Sequence, residues 1–72
     1  MTMKFTTTYT REGKWFVAHC VEIGVTSQGE TLEAAENNLR EAMELYLEDV
    51  PPEERKQFAE RPLIKTLDLE IA

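Results

Sequence analysis

Hydrophobic and polar positions alternate along the first part of the chain, which is the pattern of strands that bury one face. Residues 3–10, MKFTTTYT, place both aromatic side chains on one face and three threonines on the other. Residues 15–20, WFVAHC, are apolar on nearly both faces, which suits a central strand, and residues 25–28, VTSQ, suit a short third strand. A polar loop of about four residues, 11–14, and a turn ending at Gly24 join them. We therefore predict an antiparallel meander of three strands.

The hydrophobic period then changes from two residues to that of an α-helix. Thr31 is the predicted N-cap, because its hydroxyl can accept a hydrogen bond from the first turn. Glu36 and Arg40 have the spacing of a stabilising ion pair along the helix. Pro51 and Pro52 end the helix, since proline cannot continue it. The helix carries one apolar stripe, formed by Leu32, Ala35, Leu39, Ala42, Met43 and Tyr46.

The remainder of the chain predicts a short helical segment and a closing strand. Residues 53–60, EERKQFAE, suit two helical turns anchored by Phe58, and residues 63–72, LIKTLDLEIA, alternate again. A strand, a crossover helix and another strand require a right-handed connection, which lays the helix across one face of the sheet. The predicted fold class is α+β, a two-layer β-β-β-α-β sandwich in which one long helix covers the sheet, as a single domain over residues 1–72.

Charge is concentrated in the helix. The formal net charge of the chain is -6, and residues 30–49 contain seven acidic residues against Arg40, which equals the same -6. An acidic chain gains nothing from counterion release on DNA or RNA, so we expect no direct nucleic-acid binding. A basic protein partner is compatible with this charge. No apolar run approaches the roughly 18 residues of a membrane span, and the start lacks a signal-peptide core, so we expect no membrane association and a cytoplasmic location.

The size of the chain predicts self-association. A chain of 72 residues buries only about 60% of its unfolded surface, and such small domains are commonly stabilised by disulfides, metals or oligomerisation. Cys20 is the only cysteine, which excludes an internal disulfide. With His19 as the only histidine, it cannot make a structural zinc site without carboxylates or a second chain. We therefore predict no metal or cofactor, and a homo-oligomer.

Catalytic chemistry is poorly supported by the sequence. His19 and Cys20 are adjacent on a strand, so they point to opposite faces and cannot act together as a nucleophile and its base. Cys20 is expected in the core beneath the helix. Clustered carboxylates can bind divalent cations in nucleases, but the first predicted strand has none and the helix acids surround the polar face. We expect a protein that is not an enzyme, with a small metal-dependent nuclease as the alternative.

The far face of the sheet is a predicted interaction surface. Trp15, Val17, His19 and Val21 share the side away from Cys20 and the helix. No predicted element is left to cover them, and uncovered apolar faces with polar rims usually mark protein interfaces. Trp15, Val17 and His19 are therefore candidate contacts for a partner or for self-association.

Several short motifs occur together in the middle of the chain. An aromatic strand reaches Ala18, a C-x-E loop uses Cys20 and Glu22, and the sequence SQGET leads into a helix of the form EAAENNLREAMELYLE. In this combination the chain resembles the N-terminal domain of the HicB antitoxins, a partial RNase H-like fold. The resemblance covers roughly residues 3–49 and, more loosely, the closing strand.

The resemblance implies a function and a partner. HicB proteins neutralise HicA, a small toxin of double-stranded-RNA-binding fold that cleaves messenger RNA, and they oligomerise. Complete HicB proteins usually carry a C-terminal DNA-binding domain, which residues 1–72 do not include. We therefore expect an antitoxin-like module that binds a HicA-like toxin, with a stand-alone oligomeric module for another partner as the alternative. An acidic helix complements a basic RNA-binding protein, so Glu41, Glu44 and Glu48 are candidate contacts.

Overall fold

The computed structural model describes residues 2–58 and 60–72. Within them a three-stranded antiparallel sheet of order β1-β2-β3 is followed by one long helix, so the predicted α+β class is confirmed. The elements are β1 at Thr7–Glu12, β2 at Trp15–Cys20, β3 at Thr26–Gly29, α1 at Leu32–Glu48 and a 3₁₀ helix at Arg55–Phe58. That 3₁₀ helix is shorter than the two turns predicted over residues 53–60, of which residue 59 lies outside the described chain.

The first hairpin is tighter than predicted. Glu12 pairs with Trp15, which leaves only Gly13 and Lys14 in the loop, and Gly13 has a φ of 60°. A glycine suits this turn because a positive φ costs it little. The first strand accordingly runs over Thr7–Glu12 rather than residues 3–10, because pairing with β2 extends to the turn.

The core lies between the helix and one face of the sheet. Ala18 and Cys20 of β2 point towards Ala35 and Leu39 of α1, and all four are almost fully buried. Cys20 is therefore confirmed as a core residue under the helix. Partly buried apolar side chains surround this small centre: Phe5, Tyr9, Phe16, Ile23, Val25 and Met43. The two ends of the predicted apolar stripe, Leu32 and Tyr46, are 50% and 43% exposed, because they lie beyond the covered core.

Both helix ends are capped. The Thr31 hydroxyl accepts a hydrogen bond from the Ala34 amide at 3.0 Å, which confirms the predicted N-cap. At the other end the Arg55 guanidinium donates to the carbonyl oxygens of Leu47 at 2.9 Å and Val50 at 3.0 Å. The Leu47 carbonyl also accepts from the Val50 amide at 3.1 Å, so Arg55 adds a second hydrogen bond there and gives the Val50 carbonyl, just past the helix, a donor.

Side chains fix the helix across the sheet. The Asn38 side-chain amide donates to the Gln28 carbonyl oxygen of β3 at 2.8 Å, and the Tyr9 hydroxyl of β1 donates to Glu36 Oε1 at 3.0 Å. Arg40 donates to Asn37 Oδ1 at 3.4 Å. Within the described residues, the predicted ion pair between Glu36 and Arg40 is therefore not formed, because the Glu36 carboxylate accepts from Tyr9 of β1 instead.

The predicted closing strand is wrong for this structure. Residues 63–72 have no regular secondary structure, and every one of them is exposed. Alternation makes a segment suitable for a strand, but a strand also needs hydrogen bonds to a neighbouring strand, and here none of the three strands provides them. No helix among the described residues is long and apolar enough to span a bilayer.

Candidate functional site

The outer face of the sheet, away from α1, carries Trp15, Val17 and His19, as the alternation of β2 predicted. Trp15 is 42% exposed, while Val17 and His19 are half-buried. The His19 Nδ1 atom lies 2.8 Å from the hydroxyl oxygen of Thr26 on β3, which fixes the orientation of the ring. The structure therefore brings the three predicted residues onto one surface that α1 does not cover.

Neighbouring strands make this face more polar than the sequence of β2 suggests. Val17 lies between Thr10 and Gln28, and His19 lies between Thr8 and Thr26. Threonine is favoured in strands, so the threonines at these positions suit the sheet but do not extend its apolar surface. The apolar part of this face is therefore smaller than predicted and consists of Trp15, Val17 and Val21, which is 36% exposed.

The second predicted surface is an acidic ridge on α1, formed by Glu41, Glu44 and Glu48. All three are exposed, and their spacing places them on one side of the helix, opposite Ala35 and Leu39. The ridge spans about 10 Å along the axis at 1.5 Å per residue. It lies on the opposite layer from Trp15, so the structure separates the predicted contacts into two surfaces.

His19 and Cys20 point to opposite faces, as expected, and cannot share a site. Burial raises the pKa of the Cys20 thiol, which keeps it protonated and unreactive at neutral pH. Its Sγ atom lies 3.7 Å from Glu22 Oε1. The thiol therefore acts as a small core group.

Glu22 has a structural role that the sequence did not reveal. Its Oε1 accepts a hydrogen bond from the Thr6 amide at 2.7 Å, which joins the β2–β3 loop to the segment before β1. Desolvation alone would raise the pKa of Glu22, but the hydrogen bonds it accepts, led by that of the Thr6 amide, outweigh it and lower the pKa. Glu22, the acidic residue of the C-x-E motif, therefore holds two distant segments of the chain together.

The structure also contains a basic groove that the sequence did not predict. It has a volume of about 720 Å³ and lies between the segment before β1 and the chain that follows α1. Four cationic side chains line it, Lys4, Arg55, Lys56 and Arg61, and no acidic residue does so. Lys4 is distant in sequence from the other three residues, so no local pattern could predict the groove.

Among the described residues, no group of three or more His, Cys, Asp or Glu side chains could hold a metal ion. The sequence matches the model of one protein family over residues 4–70, described as a family of unknown function (DUF7387). No curated protein and no solved structure matches the chain.

Proposed function

As the chain belongs to this family of unknown function, DUF7387, its function is inferred from its surfaces, and we propose that it is an antitoxin-like module that neutralises a small HicA-like toxin by direct binding. The observation that carries the proposal is the exposed acidic ridge of Glu41, Glu44 and Glu48. The HicB-like motifs around Cys20, Glu22 and SQGET support the same assignment through resemblance alone.

The ridge has the properties of a docking surface for a basic protein. An enzyme that cleaves messenger RNA must bind phosphates, and it does so with lysine and arginine. Carboxylates presented on a rigid helix attract such a surface, accelerate association and compete with RNA for it. Because α1 is fixed to the sheet through Asn38 and Tyr9, the ridge is held in one orientation.

The proposed role is not enzymatic. The helix carboxylates lie on the solvent side of α1, and the thiol of Cys20 is buried and protonated. Incubation of the purified protein with RNA and Mg²⁺ or Mn²⁺ separates this role from the alternative, a metal-dependent nuclease. Metal-dependent cleavage that survives repurification would support the nuclease.

The central experiment tests the acidic ridge by charge reversal. The small protein encoded beside this one is expressed alone and together with this chain, and growth and co-purification are measured. We expect growth arrest by the neighbour alone and rescue by the wild-type chain. The triple variant Glu41→Lys, Glu44→Lys, Glu48→Lys should lose both rescue and the complex.

A matched control keeps the total charge change the same. The variant Glu53→Lys, Glu54→Lys, Glu60→Lys changes the net charge equally at exposed positions outside α1, and it should still rescue growth. Equal loss in both variants would assign the effect to net charge rather than to the ridge. A harmless neighbour would contradict the antitoxin function and favour the alternative of an interaction module with another partner.

A further inference from the structure

Residues 63–72, here called the exposed arm, present large apolar side chains to solvent. Leu67, Leu69 and Ile71 alternate with polar residues and are 86%, 76% and 87% exposed. Leu63 is 88% exposed as well. Scattered apolar residues on a surface are normal, but an alternating row of this kind has the pattern of a strand with one buried face.

The dimensions of the single chain show how much surface is left uncovered. A folded monomer of 8.3 kDa exposes about 4,600 Å² on average, whereas this chain exposes 6101 Å². Its radius of gyration is 14.4 Å, against about 11 Å for a compact domain of this length. The excess surface, about 1,500 Å² per chain by the same scaling, is comparable to the area that protein interfaces bury.

The sheet offers one free edge to such an arm. At the edge formed by β3, the Asn38 side chain already occupies the Gln28 carbonyl, and α1 packs over β3 and β2. The other edge, β1, is paired only with β2. Half-buried Tyr9 lies on its helix side, and half-buried Phe5, just before β1, packs against the same core. An added strand could bury apolar side chains beside them.

We propose that the exposed arm of one copy adds as a fourth strand to the β1 edge of a second copy, and that the exchange is reciprocal. Leu67, Leu69 and Ile71 then lie on the helix side of the partner sheet, next to Phe5 and Tyr9. Asp68 and Glu70 lie on the outer side, beside the polar Thr8 and Thr10 of β1. An exposed edge is a ready template for strand addition, and reciprocal exchange produces a closed two-fold dimer.

The buried area fits a second copy as the occupant. If each exchanged arm buries an area equal to the excess surface of one chain, the dimer buries about 3,000 Å² in total. This area is within the range of obligate homodimers. In the single chain the arm leaves the domain after Pro62, beside Val21 and Glu22, and does not pair with its own sheet. Over ten residues an extended strand reaches about 33 Å, enough to follow the whole of β1 in a partner. This dimer does not depend on the proposed toxin.

The first test is the mass of the full chain in solution. Light scattering should give a dimer for the wild type and a monomer for the double variant Leu67→Asp, Leu69→Asp, with the dissociation constant raised at least about 100-fold. Both leucines are exposed in the single chain, so the helical circular dichroism should remain. The control Thr66→Asp, Ala72→Asp adds the same charge on the polar side and should stay dimeric.

The second test locates the contact by cysteine cross-linking. Thr8 lies on the outer face of β1, so Thr8→Cys on one chain should form a disulfide with Thr66→Cys, Asp68→Cys or Glu70→Cys on another. Gln28→Cys, on the same face but on β3, is the matched control and should not cross-link. The wild type, with only the buried Cys20, should remain uncross-linked.

Each other outcome would overturn the proposal. A wild-type monomer, or a dimer that the leucine variant leaves intact, would exclude the arm as the contact. When Thr8→Cys and the arm cysteine are in one chain, a disulfide within a single chain would show that the arm closes its own sheet. Cross-links to Gln28→Cys rather than Thr8→Cys would assign the arm to the β3 edge.

Discussion

Gly29 at the end of β3 lies against the first turn of α1, so that a Cβ atom on it would be 2.5 Å from the Ala35 backbone nitrogen. The obstacle is backbone, which cannot rotate away as a side chain could. The sequence placed a turn at this glycine, but the structure shows that its lack of a side chain sets the distance between the helix and the sheet. Gly29 is therefore a packing residue.

Gly29→Ala should destabilise the protein by about 1–3 kcal/mol, because the helix must move away from the core to make room. Urea unfolding monitored by circular dichroism measures this change. Gly13→Asn is the control, since a Cβ at Gly13 meets nothing within 4 Å and asparagine tolerates a positive φ. Equal stability of Gly29→Ala and the wild type would contradict the close approach.

Removal of the helix cap at Thr31 should weaken the protein without changing its core. Thr31→Ala should reduce the free energy of unfolding by about 1 kcal/mol, because the Ala34 amide loses its hydrogen-bond acceptor. Thr31→Ser keeps the hydroxyl and should retain most of the stability. If alanine and serine gave the same unfolding curve, the observed cap would contribute nothing in solution.

Glu22 should make stability depend on acidic pH. Its pKa is lowered in the folded state, so its contribution is present above the unfolded value of about 4.3 and is lost as pH falls through the lower folded value. We expect the wild type to lose more stability than Glu22→Gln on acidification from pH 5 to pH 3. Parallel pH profiles for the two proteins would show that the carboxylate is not held by the Thr6 amide.

Cys20 should be unreactive until the protein unfolds. Its raised folded-state pKa results first from desolvation by burial, so the thiol favours the folded state below its unfolded pKa, and that contribution is lost as pH rises through the higher folded value. A thiol reagent such as DTNB at pH 8 should react with it slowly in buffer and rapidly in denaturant. Rapid labelling of the native protein would contradict its burial.

The sequence was sufficient to predict which candidate residues share a surface. The alternation of β2 was sufficient to place Trp15, Val17 and His19 on the face away from α1, and the helical period placed Glu41, Glu44 and Glu48 opposite the core. The polar surroundings of Val17 and His19 depend on which residues of β1 and β3 lie beside them. That register is set by pairing between strands, which no single segment encodes.

Local rules are sufficient for three features of this fold: the bounds of β2, the N-cap at Thr31 and the end of α1 before the prolines each follow from nearby residues. Contacts that join distant segments could be found only from the folded chain; they include the hydrogen bond between Glu22 and Thr6, the close approach at Gly29 and the basic groove. The tertiary structure also decided the state of residues 63–72. Their alternation specifies a side to bury, but a strand forms only where a free edge supplies its hydrogen bonds.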